Sequence, residues 1–228
     1  MEFTKKVLIL FISTMFTYYF NTGSFLNFNS LLFEKGKLNS NYVQIKRNEY
    51  NNSDVVARVL IDSIDLDVSL MQASDNSFYL EHDEYKNKNR LGAAFLDYRN
   101  NIDLDRKILI FGHNSKYIKT EFQKLEKFLS NDFYNDSFNR ELVIETSNKI
   151  SLYEIASVFV EDEDFQHMDL SFSDDEWNSH INWINNSSLY EDVILSYDDE
   201  IVIMQTCYYE PDDSYLLIVA KKIKEEYY

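Results

Sequence analysis

The stretch Ile201–Cys207, IVIMQTC, joins four consecutive large apolar side chains to the single cysteine of the chain. A short apolar run that is rich in β-branched residues predicts a buried, central strand. Lys107–Phe111, KILIF, has the same character and is followed by Gly112 and His113. Both predicted strands therefore end at a side chain that can do chemistry, and such groups concentrate where strands leave a rigid scaffold.

Further strand and helix patterns surround these two runs. Val55–Ile61 is rich in β-branched residues, and apolar and polar residues alternate over 64–70, the period of a half-buried strand. The remaining strand candidates are 92–98, 142–145, 150–160 and 215–220. One helix is predicted behind Thr120, and a second is opened by the capping box Ser173–Glu176. Together these elements predict a mixed sheet or a closed barrel with attached helices.

The composition excludes several classes of function. The chain has 228 residues, which is enough for one domain with a short appendage. Its 39 acidic and 22 basic residues give a net charge of −17, which repels nucleic acid, so we expect no DNA or RNA partner. The four glycines form no phosphate-binding loop. A single cysteine allows neither an internal disulfide nor a multi-cysteine zinc site, and we expect no metal and no cofactor.

The N-terminal segment has the pattern of a membrane anchor. Lys5 and Lys6 precede the uncharged run 7–20, and apolar character continues to Phe28, which gives about the 20 residues that a bilayer span needs. A cleaved secretory signal and an ordinary buried helix are the alternatives. No A-x-A cleavage site follows the run, and tyrosines crowd its outer end, so the pattern favours an uncleaved anchor. The lysines then place the residues beyond about 30 outside the cytoplasm.

Cys207 and His113 are the candidate catalytic pair. A cysteine nucleophile needs a partner that keeps it a thiolate and later protonates the leaving amine, and histidine suits both tasks. Taken alone, each residue is more simply explained as part of a buried core, since a lone cysteine behaves as a small hydrophobe. From the residues alone, their pairing stays open.

Several segments resemble those of sortases. Residues 203–207 resemble the T-L-x-T-C strand end of that family, with Ile and Met in the first two places. Residues 111–114 resemble its histidine segment, and the separation of 94 residues between His113 and Cys207 fits. Segment 95–100, segment 207–210 and the helix over 174–185 are similar to class B sortases in particular. The resemblance covers about residues 54–223.

This resemblance implies an eight-stranded β-barrel with peripheral helices and an N-terminal membrane-anchor helix. It divides the chain into a cytoplasmic tip with a signal anchor (1–30), a stalk with a short helix (31–53) and a catalytic domain (54–228). The implied protein is a single-pass membrane protein of a Gram-positive bacterium with its catalytic domain outside the cytoplasm.

The activity implied by the resemblance is that of a cysteine transpeptidase. Cys207 would attack a Thr–X bond in the sorting signal of a secreted protein, usually of an NPxTx pattern, and His113 would act as acid and base. The thioester would pass to an amine of a peptidoglycan precursor or cell-wall peptide. Residues Thr206, Gln205 and Tyr98 would bind the substrate. A thiol peptidase that only hydrolyses and a degenerate sortase that only binds signals are the alternatives.

The sequence departs from the family at one expected site residue. Aligning residues 207–210 with class B sortases places Tyr215 where the family carries an arginine, and the last arginine of the chain is Arg140. A tyrosine offers one neutral O–H where a guanidinium offers a charged fork of donors. Three explanations are open: Tyr215 does the task through its hydroxyl, Arg99 reaches the site, or the enzyme is slow.

The remaining histidines and the acidic cluster at 161–164 are not assigned to the site. His82, His167 and His180 have no spacing that suggests a metal, and we expect them at the surface. The cluster at 161–164 is expected to be a solvated loop.

Overall fold

The computed structural model describes residues 38, 40–162, 165–210 and 214–228. The chain divides into two units, and the description below concerns the unit Ser40–Tyr228. The predicted signal anchor at 1–30 lies outside the described residues. Among the residues that are described, no helix combines the length and the apolar character needed to span a bilayer.

Eight strands form a closed barrel, as predicted, in the order β1-β2-β3-β4-β7-β8-β6-β5. Pairs β2–β3 and β4–β7 are parallel, and the other neighbours are antiparallel. The strands are β1 (Val55–Ile61), β2 (Leu66–Met71), β3 (Phe95–Leu96), β4 (Lys107–Phe111), β5 (Glu141–Glu145), β6 (Lys149–Glu161), β7 (Ile201–Tyr208) and β8 (Ser214–Tyr227).

The apolar run of β7 is buried on both faces. Val202 and Met204 point into the barrel core, whereas Ile201 and Ile203 belong to a second cluster on the outside of the barrel. That outer cluster is covered by Trp177, Ile181 and Ile184 of a helix. Because neither face of the strand meets water, the run is continuous rather than alternating.

Among the residues that the structure describes, three α-helices and five 3₁₀ segments lie around the barrel. The α-helices are α1 (Tyr42–Tyr50), α2 (Asn131–Asn135) and α3 (Asp174–Ser187), and the 3₁₀ segments are Asp62–Ile64, Phe78–Leu80, Phe122–Leu129, Ser137–Arg140 and Gln166–Met168. Helix α3 begins with the predicted capping box, in which Ser173 and Glu176 bond each other's backbone N–H groups. The helix predicted behind Thr120 is a 3₁₀ helix whose buried residues Phe122, Leu125 and Phe128 recur every three positions, which is the 3₁₀ period.

Two strands differ in length from their predicted bounds. The predicted strand 92–98 is reduced to Phe95–Leu96, because Gly92 has a φ of +57° and Asp97 bonds the backbone N–H of Arg99 to turn the chain. Strand β8 runs well past the predicted end at residue 220, to Tyr227. Its polar second half pairs with the start of β6, where Lys149 bonds Glu225 at 2.9 Å.

Candidate active site

Strands β4 and β7 bring His113 and Cys207 to the same end of the barrel. The two strands are parallel neighbours in register from Lys107–Ile201 to Phe111–Gln205, so their carboxyl ends lie side by side. His113 follows β4 by two residues, and Cys207 is the penultimate residue of β7. Parallel pairing thus joins two residues that are far apart in sequence.

Three hydrogen bonds fix the histidine segment against the cysteine segment. The Gly112 N–H donates to Gln205 O at 3.1 Å, and the Thr206 hydroxyl donates to Gly112 O at 2.8 Å. Asn114, which is buried, donates through Nδ2 to Cys207 O at 3.0 Å. The backbone on both sides of His113 is therefore tied to the backbone around Cys207.

Two glycines make room for the His113 ring and its strand end. A Cβ at Gly112 would lie 2.4 Å from the Phe122 ring, and a Cβ at Gly92 would lie 2.9 Å from His113 Cδ2. The His113 Nε2 atom lies 2.8 Å from Leu80 O. When Nε2–H donates to this carbonyl, Nδ1 carries the lone pair of the neutral ring and can accept a proton.

Cys207 and His113 line one cleft of about 290 Å³. Its walls are formed by Asn76, Leu80, Phe95, Phe111, Gly112, His113, Met168, Gln205, Thr206, Cys207 and Tyr215. An apolar cleft with a few convergent polar groups is the usual form of a small-molecule or peptide site. Burial raises the pKa of the Cys207 thiol above its ordinary value. The resting residue is therefore a thiol that must lose its proton before it reacts.

Tyr215 lies directly across from Cys207. The two residues are paired between β7 and β8, so both side chains stand on the same face of the sheet. The Tyr215 ring packs against Phe165 with centroids 5.5 Å apart. The tyrosine predicted from the sequence to stand in place of the family arginine is thus the residue paired with Cys207.

The structure separates the other predicted site residues into two groups. Gln205 and Thr206 line the cleft, and the Thr206 hydroxyl already donates a hydrogen bond to Gly112 O. Arg99 and Tyr98 are not among the described residues that line it. The Arg99 guanidinium binds both carboxylate oxygens of Asp97, at 2.8 and 2.9 Å, and donates to Met168 O. Arg99 therefore contacts the cleft wall through the carbonyl oxygen of Met168.

The expected surface positions of His167 and His180 are wrong. His167 has no exposed surface, and His180 is 6% exposed. Glu161, expected in a solvated loop, is the last residue of β6, and its side chain is 9% exposed. The segment after β6 and helix α3 fold over the barrel and cover these groups, and no local pattern signals this burial. Asn114 was also missed, although it directly follows His113.

The comparisons with known proteins agree with this geometry. No family model matches the chain. Sortase B of Listeria monocytogenes is 31% identical over 166 residues, covering 71% of this chain and 65% of that protein. Sortase B of Staphylococcus aureus is 26% identical over 188 residues, covering 79% and 75%. The crystal structure of Clostridium perfringens sortase B matches with a TM-score of 0.72 and 26% identity, covering 79% of this chain and 99% of that chain.

The chain is similar to class B sortases in both sequence and fold. It spans slightly less than two thirds of the length of the Listeria relative. In this sortase-like barrel, Cys207 near the end of β7 and His113 just after β4 both line the cleft. Within the described residues, no group of three His, Cys, Asp or Glu side chains could hold a metal ion.

Proposed function

We propose that this chain is a class B-like sortase, a cysteine transpeptidase that cleaves a Thr–X bond in a sorting-signal peptide and transfers the acyl part to a cell-wall amine. The observation that carries the proposal is the common cleft of Cys207 and His113, held by three hydrogen bonds between their segments. Structures of the same fold at 21% and 22% identity are described as a sortase B–substrate complex and as a sortase B with triglycine. Their ligands are a substrate and a short glycine peptide, which fit this reaction.

The reaction proceeds by two proton-coupled substitutions. His113 accepts the thiol proton, and the Cys207 thiolate attacks the Thr carbonyl carbon. The resulting imidazolium protonates the departing amine of residue X as the C–N bond breaks, which leaves a thioester. An acceptor amine then attacks the thioester and gives one proton to His113, which passes it to the Cys207 sulfur as the C–S bond breaks. The thiol is restored, and no cofactor is consumed.

The proposal is tested with an NPxTx-type peptide and triglycine as acceptor amine. Native chain should form the peptide–triglycine product, detected by mass spectrometry, and Cys207→Ala should form none. Free acid as the sole product would favour the thiol peptidase. Peptide binding without any product would favour the degenerate sortase, an alternative supported by the raised thiol pKa and the neutral Tyr215.

We propose further that the protein is anchored by one membrane span with its catalytic domain outside the cytoplasm. The support is the pattern of Lys5, Lys6 and the apolar run up to Phe28, in a part of the chain that lies outside the described residues. The full-length protein should sediment with membranes and resist extraction by alkaline carbonate. A mature N-terminus near Ser24 would identify a cleaved signal instead.

A further inference from the structure

Three side chains form a continuous hydrogen-bonded chain at the wall of the cleft. His167 Nδ1 lies 2.7 Å from Glu161 Oε2, and His167 Nε2 lies 2.7 Å from Gln205 Oε1. His167 is completely buried, whereas Gln205 lines the cleft. Gln205 precedes Cys207 by two residues in β7, so their side chains stand on the same face of the strand.

The three hydrogen-bonded side chains connect β6 to β7, the two strands on either side of β8. Glu161 of β6 pairs with Tyr215 of β8, which in turn pairs with Cys207 of β7, so the three residues form one row across the sheet. His167 links the β6 end of the row to Gln205 of β7. His167 therefore holds the Gln205 side chain, whereas the Gly112 N–H of the His113 segment holds the Gln205 backbone carbonyl.

The contacts determine which end of the Gln205 amide enters the cleft. Oε1 of Gln205 is an acceptor, so the bond to His167 requires a proton on Nε2. The amide NH₂ group then points away from His167, which is itself buried behind the cleft wall. Among the described residues of the cleft, Asn76 Nδ2 already donates to Asp97, and His113 Nε2 lies against Leu80 O. Gln205 differs from both because the protein holds its oxygen and not its N–H groups.

Resting on the proposed function, we propose that Gln205 donates an amide N–H to the carbonyl oxygen of the acyl group attacked by Cys207, and that His167 and Glu161 position it. Negative charge develops on that oxygen as the carbon becomes tetrahedral, and a preorganised donor lowers the barrier. Gln205 is the group that touches the reacting atoms. His167 and Glu161 are positioning residues.

The Nε2–H group of His167 holds this orientation, because it donates to Gln205 Oε1. Without that donor the Gln205 amide could turn and present Oε1 to the cleft, where it would repel the developing oxyanion. Glu161 Oε2 lies against the other ring nitrogen and fixes the ring in place.

Gln205→Met tests the donor because it keeps the side-chain length and removes the amide. We expect kcat for the peptide to fall at least tenfold while KM changes less than about twofold. The matched control is Gln166→Met, the same substitution at an exposed residue next to His167, and it should retain native kcat. A kcat for Gln205→Met within twofold of the native value would overturn the proposal.

A double-mutant comparison distinguishes a positioning role from a purely structural one. His167→Phe keeps a ring at this site and removes the donor to Gln205 Oε1, so kcat should fall at least tenfold with little change in KM. In the Gln205→Met background the same substitution should have no further effect on kcat, because the amide that His167 orients is absent. An equal fall of kcat in both backgrounds would refute the role of His167. If the native chain forms no product, the proposed function fails and this inference fails with it, whereas an active native chain with an unaffected Gln205→Met overturns the inference alone.

Discussion

At the scale of single residues, Cys207, the proposed nucleophile, lies in surroundings that disfavour its charged form. Burial raises the pKa of the Cys207 thiol, since a thiolate is poorly solvated in a half-buried site. The residue paired with it across the sheet, Tyr215, carries a hydroxyl in place of a cationic group. In the proposed reaction the thiol therefore depends on His113 as proton acceptor and on hydrogen-bond donors around the carbonyl oxygen.

Alkylation of Cys207 should report the raised pKa directly. Only the thiolate reacts, so the rate of iodoacetamide modification should keep rising from about pH 7 through about pH 9, without a plateau near neutrality. Mass spectrometry of the full-length chain gives the rate, and Cys207→Ala supplies the background. A plateau that is reached below about pH 7 would mean that a nearby charge stabilises the thiolate.

Tyr215→Phe removes the hydroxyl opposite the thiol and keeps the ring against Phe165. Turnover of the native protein should be slow, and kcat should fall at least tenfold further in the variant, which is about 1.4 kcal/mol of barrier, with a smaller change in KM. Tyr117→Phe, at a residue that is 92% exposed, is the matched control. Unchanged kcat in Tyr215→Phe together with a loss in Arg99→Ala would transfer the role to Arg99.

At the scale of elements, the site depends on the junction of β4 and β7. The proposed reactive groups lie beyond the paired apolar runs, with Cys207 near the end of β7 and His113 just after β4. Side-chain bonds from Thr206 and Asn114 extend the junction beyond the paired residues. The relative position of His113 and Cys207 is thus a property of two elements and not of either segment alone.

Thr206→Val tests this junction because it removes one hydroxyl at nearly constant volume. We expect the free energy of unfolding to decrease by about 1 kcal/mol, the usual value of such a bond, and kcat to fall as the Gly112 carbonyl is released. The matched control is Thr120→Val, since Thr120 Oγ1 is buried without a hydrogen-bond partner among the described residues. That control should be neutral or stabilising in a denaturant titration. Equal destabilisation by both variants would contradict the assignment.

At the scale of the whole molecule, a buried basic pair joins helix α3 to the barrel. Lys107 Nζ lies 2.8 Å from His180 Nε2 and donates to Asp169 O at 2.7 Å. Burial lowers the pKa of Lys107 to about 7 and, together with the Lys107 charge, the pKa of His180 to about 3. Two basic groups can share this site because neither is favoured in its charged form there.

Acidification should destabilise the fold through His180. Its pKa is about 3 in the folded chain and 6.5 as an ordinary value, so the unfolded chain binds more protons between these limits. Its contribution is fully present above about pH 6.5 and is lost as pH falls towards about 3. The decrease in unfolding free energy between about pH 6.5 and about pH 5 should be smaller in His180→Phe than in native protein or in His82→Phe. Parallel curves for all three would exclude His180 as the cause.

Local patterns in the sequence were sufficient for the elements that carry the site. The apolar runs of β4 and β7 are buried on both faces, and such burial leaves a continuous signal in the residues themselves. The capping box of α3 is equally local, because its partners Ser173 and Glu176 are three residues apart. The same runs predict that Cys207 lies at the end of one central strand and that His113 lies just after another.

What the sequence by itself determined is therefore the kind of each element and the residues at its ends, because these depend on neighbours along the chain. Only the tertiary structure decided that β4 and β7 are parallel neighbours, that Tyr215 faces Cys207, and that His167 links Glu161 to Gln205. These relations join residues from different strands and loops, and their register is set by packing of the closed barrel rather than by any local propensity. The same holds for the burial of His180 on Lys107, since the contact joins helix α3 to strand β4, which are far apart in the sequence.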